Sequence, residues 1–243
     1  MALIDGLIAH WKLDEAAGNS RVDELGTFTL PEYSGQVAQV AGKLNYAVRS
    51  TGASSYYLRL NSPSSAIHPS TAYTIAAWVY RNNDFGTSEE CALFWEMGSY
   101  SLALSTLWSD TFSKYLHRLI HYDSTPTSYD VNADSALQTW EFLVARWDGS
   151  KLDLSVNNGT PAETPSVSSI VSWATAAITS LRVGWRNTLE ADVYIDSLSV
   201  WHRALSDAEV TQLYNGGDGL EYPFTIDDLI GSHRPMPTFF RDY

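Results

Sequence analysis

The chain has 243 residues, 44% of them hydrophobic, which suits one well-filled core and is too apolar for a disordered chain. Fifteen Lys and Arg against 28 Asp and Glu give a formal charge of -13, a field that repels phosphate backbones and anionic lipid surfaces, so neither nucleic acid nor a membrane is an expected partner. The single cysteine, Cys91, rules out an intrachain disulfide, and no apolar run approaches the ~18 residues of a membrane helix.

The opening segment, Met1 to His10, has no basic stretch, and Asp5 interrupts its apolar run. It does not read as a signal peptide: either a leader has been removed or the protein leaves its cell another way. Short alternating segments then recur, separated by Gly, Asn, Asp, Ser and Pro, which predicts an antiparallel all-β chain. Strands are expected at Leu7–Leu13, Tyr56–Leu60, Tyr73–Tyr80, Cys91–Glu96, Ser99–Ser105 and His117–Tyr122. The Tyr73–Tyr80 segment is apolar on both faces, with Ile75, Ala77 and Val79 on one and Ala76, Trp78 and Tyr80 on the other. Such a strand belongs at the centre of a sheet covered on both sides.

From Thr139 to Asn158 the alternation is clearest. Asp148-Gly149 supplies one turn, Leu152, Leu154 and Val156 mark the returning strand, and Asn157-Asn158-Gly159 supplies a second turn. That turn accounts for Asn158-Gly159-Thr160 better than a glycosylation sequon does. Leu181–Arg186 and Val193–Trp201 complete the strands. Trp11, Trp78, Trp140 and Trp201 follow strand parity and are expected in the core. Ser206-Asp207-Ala208-Glu209 is a capping box, so one short helix begins there and stops at Gly216-Gly217. From Pro223 the chain turns rich in proline and ends in Phe239, Phe240 and Tyr243. This extension, 223–243, either packs back on its own domain, 1–222, or docks on a neighbouring protein through residues 224–243.

Four stretches together resemble the laminin-G-like jelly rolls of the concanavalin A-like lectin/glucanase superfamily. Leu7–Glu15 (LIAHWKLDE) resembles the opening strand, and Tyr73–Val79 (YTIAAWV) the central one. Trp140–Gly149 followed by Leu154–Gly159 resembles the long hairpin. Ile195–Ser206 running into Ala208–Asn215 resembles the closing strand and helix. The resemblance covers residues about 5 to 222. It implies an all-β, two-sheet antiparallel jelly-roll β-sandwich with one short C-terminal helix. It also implies glycan binding on one sheet face or its rim and, commonly, a structural calcium ion.

Asp196 is the candidate calcium ligand. The apolar phase of Val193–Trp201 slips at Asp196-Ser197, which predicts a bulge there. A carboxylate on so apolar a strand needs donors or a cation, and hard oxygens suit calcium. Asp14 and Asp23 join it if first and last strands are neighbours, as the resemblance implies. The alternative is a carboxylate that caps backbone amides without a metal.

A glycosidase on this fold needs paired carboxylates on one strand face. Glu89-Glu90 point opposite ways, Asp192 and Asp196 lie on the closing strand, and Asp227-Asp228 lie in the tail. The histidines form no metal-ligand pair, and Cys91 sits in an apolar run. The chain is therefore expected to be non-catalytic. Trp95, Tyr100, Trp108, Tyr115 and Tyr122 are the candidate sugar contacts, since aromatic faces match sugar C–H surfaces. The expected role is a surface-exposed accessory or recognition protein, a virion (phage) decoration or appendage component that binds glycans, located on a virion or outside the cell. A carbohydrate-binding module of a secreted protein and a glycoside hydrolase or lyase are the alternatives.

Overall fold

The computed structural model describes residues 2–50, 56–61, 71–86, 90–97, 102–122, 128–164, 167, 180–186 and 191–224. Two antiparallel sheets stack into a β-sandwich. The first runs, edge to edge, β13 (Ala162–Thr164), β12 (Leu152–Val156), β11 (Trp140–Trp147), β6 (Tyr73–Arg81), β16 (Val193–Trp201), β4 (Tyr46–Ser50) and β3 (Ala38–Ala41), with β1 (Leu7–Trp11) also paired to β16. The second runs β10 (Ser128–Asp134), β9 (Lys114–Tyr122), β8 (Leu102–Ser109), β7 (Glu90–Met97), β14 (Ser180–Val183), β5 (Tyr57–Asn61) and β2 (Glu32–Tyr33), with β15 (Trp185–Arg186) also on β7.

The doubly apolar β6 lies between β11 and β16, as its composition requires. Its inward residues Ile75, Ala77 and Val79 join Trp11, Phe94, Leu104, Leu119, Leu143 and Ile195 in the core between the sheets. Its outward residues Ala76 and Trp78 enter a second, smaller cluster. There Phe142, Val144 and Trp201 meet Val210 and Leu213 of the helix α1 (Asp207–Tyr214), together with Leu3 and Leu220. Trp78 and Trp201 are therefore buried, but under the helix rather than between the sheets. Trp140, expected in the core, is half-buried on the outer face beside Tyr80 and Tyr194. Its register opposite Tyr80 puts it there, at the margin of the cluster under α1.

Local chemistry explains both ends of α1. The Ser206 side chain accepts from the Glu209 amide, and the Glu209 carboxylate accepts from the Ser206 amide. Asn215, not the following glycines, takes the left-handed cap at φ 48°. In the second hairpin turn the positive φ angles likewise fall on Asn157 and Asn158. The described end of the chain also belongs to the sandwich. Phe224 is buried and stacks on Trp201, and Tyr222 and Phe224 flank His10. Residues 225–243, where a docking arm was expected, lie outside the described residues. No helix among the described residues is long and apolar enough to cross a membrane.

Candidate functional site: an arginine and aromatic face on the second sheet

Register builds the site. Leu181 and Val183 of β14 point into the core, so Arg182 between them points out. Arg182 stands opposite Arg59 on β5 and opposite Trp95 on β7. Trp95 in turn stands opposite Ala103 on β8. One outward row across the sheet therefore reads Arg59, Arg182, Trp95, Ala103. Tyr57, two residues from Arg59, flanks this row and pairs with Tyr33 on β2.

The rings and guanidiniums interleave. Trp95 and Trp185 meet edge to face with centroids 4.4 Å apart. The Arg182 guanidinium lies 5.4 Å from the Tyr57 ring centroid, 5.6 Å from that of Trp185 and 5.8 Å from that of Trp95. Arg59 lies 4.7 Å from Tyr33, whose ring is 5.0 Å from Tyr57. These are cation–π distances. Burial, with the like charge of Arg59 beside it, lowers the Arg182 pKa from its ordinary value, against an opposing contribution from Tyr57. Neither Arg59 nor Arg182 meets a carboxylate among the described residues.

Farther along the same face the charges are matched. Arg118 on β9 donates to Glu90 at 3.0 Å. Burial raises the neighbouring Asp130 carboxyl, with Arg118 opposing and Glu90 adding to the rise.

Of the residues expected to contact sugar, Trp95 lies at the centre of this face. Trp108 and Tyr115 do not. Trp108 ends a strand rather than sitting in a loop, and with Tyr115 it forms a cross-strand pair on the inward side, 4.9 Å apart and edge to face. The Trp108 indole N–H donates to Asp110 at 2.8 Å, and the Tyr115 hydroxyl donates to the Phe85 carbonyl. Arg81 lies 4.0 Å over the Tyr115 ring, so that ring is part of the packing. Tyr100 and the side chain of Tyr122 lie outside the described residues. Sequence reasoning did not pick out Arg59, Arg182, Trp185, Tyr57 and Tyr33. Their signal was faint: outward arginines at the middle of two otherwise apolar strands.

The three carboxylates considered for calcium divide. β16 shifts register between Asp196 and Ser199, where its outer-edge partner changes from β4 to β1. Ser197 takes φ 51° there. The bulge leaves Asp196 facing the β3–β4 turn, and its Oδ2 accepts from the Lys43 and Leu44 amides at 2.7 and 2.8 Å. Asp14 grips the same turn, accepting from the Tyr46 amide at 2.9 Å and the Asn45 side chain at 3.1 Å. Burial is the largest cause that lifts the Asp196 carboxyl to about 7; the two amides oppose it, and Asp14 and Glu221 add to it. Asp23 lies elsewhere, accepting from the amides of His10, Leu25, Thr27 and Phe28, so it fits the amide-capping alternative. Among the described residues no three His, Cys, Asp or Glu side chains are grouped to hold a metal ion. The hard-oxygen pair that shares one turn is Asp14 and Asp196.

Comparison with known proteins agrees with the architecture. A family model described as the concanavalin A-like lectin/glucanases superfamily matches residues 51–211. No curated protein matches the chain by sequence. Among solved structures, the binding domain of Paraclostridial Mosquitocidal Protein 1 superposes with a TM-score of 0.69 at 14% identity, over 88% of this chain and 52% of that one. The binding domain of botulinum neurotoxin DC, solved in complex with SialylT, gives 0.65 at 12% identity over 90% and 52%. Domain 4 of AbnA, a GH43 extracellular arabinanase from Geobacillus stearothermophilus solved with arabinotriose, gives 0.63 at 19% over 84% and 96%. The chain thus spans about half the length of the toxin binding domains and nearly all of the arabinanase domain.

Proposed function

Since the chain belongs to the concanavalin A-like lectin/glucanases superfamily, we propose that it is a non-catalytic glycan-recognition module whose ligand lies on the outer face of the second sheet. The observation that carries this reading is the half-buried Trp95–Trp185 pair with Arg182 against it. Rings supply apolar faces for sugar C–H groups, and a fixed guanidinium supplies donors for ring hydroxyls. The neighbours solved with SialylT and with arabinotriose support the same class of ligand.

Hydrolysis is the second reading. Among the described residues, the carboxylates on this face, Glu90 and Asp130, are drawn to Arg118, and Asp134 to Lys114. A hydroxyl–imidazole–carboxylate chain does exist: Thr106 bonds the His117 ring at 2.9 Å, and that ring bonds Glu141 at 2.9 Å. Thr106 and His117 are fully buried, so the chain is a polar strut between the sheets with no access for substrate. Release of reducing ends from a polysaccharide by pure protein would overturn the non-catalytic reading. A glycan array followed by titration calorimetry tests binding. Trp95→Ala and Trp185→Ala are each expected to weaken it about tenfold or more with little change in melting temperature, and unchanged binding would remove the site from this face.

Calcium is a separable part of the proposal. An ion beside Asp196, shared with Asp14, would offset the burial and like charges that raise that carboxyl. In chelator-stripped protein, millimolar calcium should then raise the melting temperature of wild type but not of Asp196→Asn. No shift in either counts against the ion.

The setting we propose is a surface-exposed accessory of a virion or of an extracellular assembly. The proline and aromatic content of 223–243 after a folded sandwich supports it. Size exclusion with and without residues 225–243 tests it, and unchanged assembly would remove the motive for a docking arm.

A further inference from the structure

We propose that the second-sheet face selects acidic saccharides, with the Arg59–Arg182 pair receiving a sugar carboxylate. The inference rests on the glycan-binding reading and adds the chemical class of the ligand. Its premise is a like-charge pair. Arg59 and Arg182 stand directly opposite on adjacent strands, a placement that costs stability when both residues carry the same sign. In a chain with nearly twice as many acids as bases, no carboxylate among the described residues comes to neutralise them.

The other arginines whose side chains are described are served, Arg81 by Asp84 among them. Arg21 meets Glu32, Arg49 meets Asp192, Arg118 meets Glu90, Arg146 meets Asp153 and Arg203 meets Glu209. Arg118 shares the face with the unpaired two, so exposure of the sheet does not by itself explain the difference. The contacts of Arg59 and Arg182 are aromatic instead. Rings hold each guanidinium without occupying its donors, apart from a long 3.4 Å contact between Arg182 Nε and Ser180. Among the described residues Arg59 Nε is shielded from solvent and has no hydrogen-bond acceptor, as is also true of Arg21 Nε and Arg118 Nε, whose other guanidinium nitrogens meet a carboxylate. A buried donor without a partner is an uncompensated cost that an incoming acceptor removes.

The missing group is therefore an anion that reaches between two guanidiniums while its carrier lies on indole. A carboxylate accepts from a guanidinium fork in a bidentate manner, and a sugar ring provides the carrier that Trp95 and Trp185 fit. A uronate or a sialylated terminus has both parts. A neutral sugar keeps the stacking and leaves the arginine pair uncompensated.

Matched pairs isolate the charge: oligogalacturonate against its methyl ester, and sialyllactose against lactose. Titration calorimetry of the full chain should give at least tenfold tighter binding for the acidic member of one pair at low salt. The gap should shrink at high salt. In Arg59→Gln/Arg182→Gln the acidic member should bind within about twofold of its neutral partner. Arg182→Lys keeps the charge without the fork and should retain only part of the gap. Circular dichroism confirms that each variant is folded, and a misfolded double variant is replaced by the two single ones. If neutral members bind as well as acidic ones and the arginine variants change nothing, acid selectivity is overturned while glycan binding stands. If no saccharide of either kind binds, the glycan reading itself fails.

Discussion

The two outer faces of the sandwich are built from the same materials and treated differently. Both carry tryptophan, tyrosine and arginine on antiparallel strands. On the first sheet the aromatics are roofed. Trp78 and Phe142 pack beneath Tyr214 of the helix, and Trp201 lies beneath Phe224. Its arginines are neutralised as well. Arg146 donates to Asp153 at 2.9 Å and to Asp207 and the Leu205 carbonyl at 2.8 Å, which ties the sheet to the start of the helix. Even the half-buried row Trp140, Tyr80 and Tyr194 ends in Arg49 clamped by both oxygens of Asp192. Among the described residues, the row Arg59, Arg182 and Trp95 on the second sheet has no such closure. Packing and ion pairing account for these side chains of the first face. The second departs from the same rules, and departures of that kind concentrate where a protein binds something.

The largest expected effect that sharpens the contrast comes from truncating one arginine on each face. Arg146→Ala leaves Asp153 buried without its partner, and should cost about 3–5 kcal/mol in urea denaturation. Arg182→Ala should change stability by less than about 1 kcal/mol, or raise it by relieving the repulsion from Arg59. Equal losses would erase the distinction between the faces.

Next comes a pH effect confined to the first sheet. The Asp196 carboxyl stands at about 7 in the folded protein against 3.8 as its ordinary value. The unfolded chain gives up this proton first, so the Asp196 contribution is intact below pH 3.8 and is lost as pH rises toward 7. His10 works in the opposite direction. Burial, with Lys12 adding, lowers it from 6.5 to about 3, so its contribution is lost as pH falls from 6.5 toward 3. Asp196→Asn keeps an acceptor for the Lys43 and Leu44 amides and removes the charge. In chelator, it should stabilise the protein above pH 7 by several kcal/mol at most, seen as a higher melting temperature. Lower stability of the variant at pH 8 would refute the assignment.

A smaller effect is expected in binding. Trp95→Ala should weaken saccharide affinity by about tenfold or more, equivalent to ~1–2 kcal/mol, while Trp140→Ala leaves it unchanged. The reverse outcome would move the site to the first sheet. The smallest is the cap. Ser206→Ala should cost about 1 kcal/mol of stability and leave binding alone, because α1 roofs the other face.

Much of this fold was legible before any coordinates. The doubly apolar β6, the β11–β12 hairpin, the bulge at Asp196 and the capping box each carry a local signal that survives in three dimensions. The missed strands are short or polar. Ala38–Ala41 has no fully buried residue, and in Ser128–Asp134 only Val131 is buried, so neither shows the alternation that marks a strand. Of the proposed site, only Trp95 was legible in the sequence. An arginine in the middle of a strand reads as an ordinary outward charge. What makes Arg59 and Arg182 unusual is their pairing between strands distant in sequence, and no local pattern encodes that register. Trp108 and Tyr115 illustrate a related point, since their aromatic character is plain in the sequence and their inward side is not.

The most direct test follows the indole N–H signals in a two-dimensional NMR titration with an oligosaccharide. Recognition on the second sheet predicts that the Trp95 and Trp185 signals shift together and saturate, while those of Trp11, Trp78 and Trp201 stay fixed. Saturable shifts at Trp140 with Trp95 and Trp185 unmoved would contradict it.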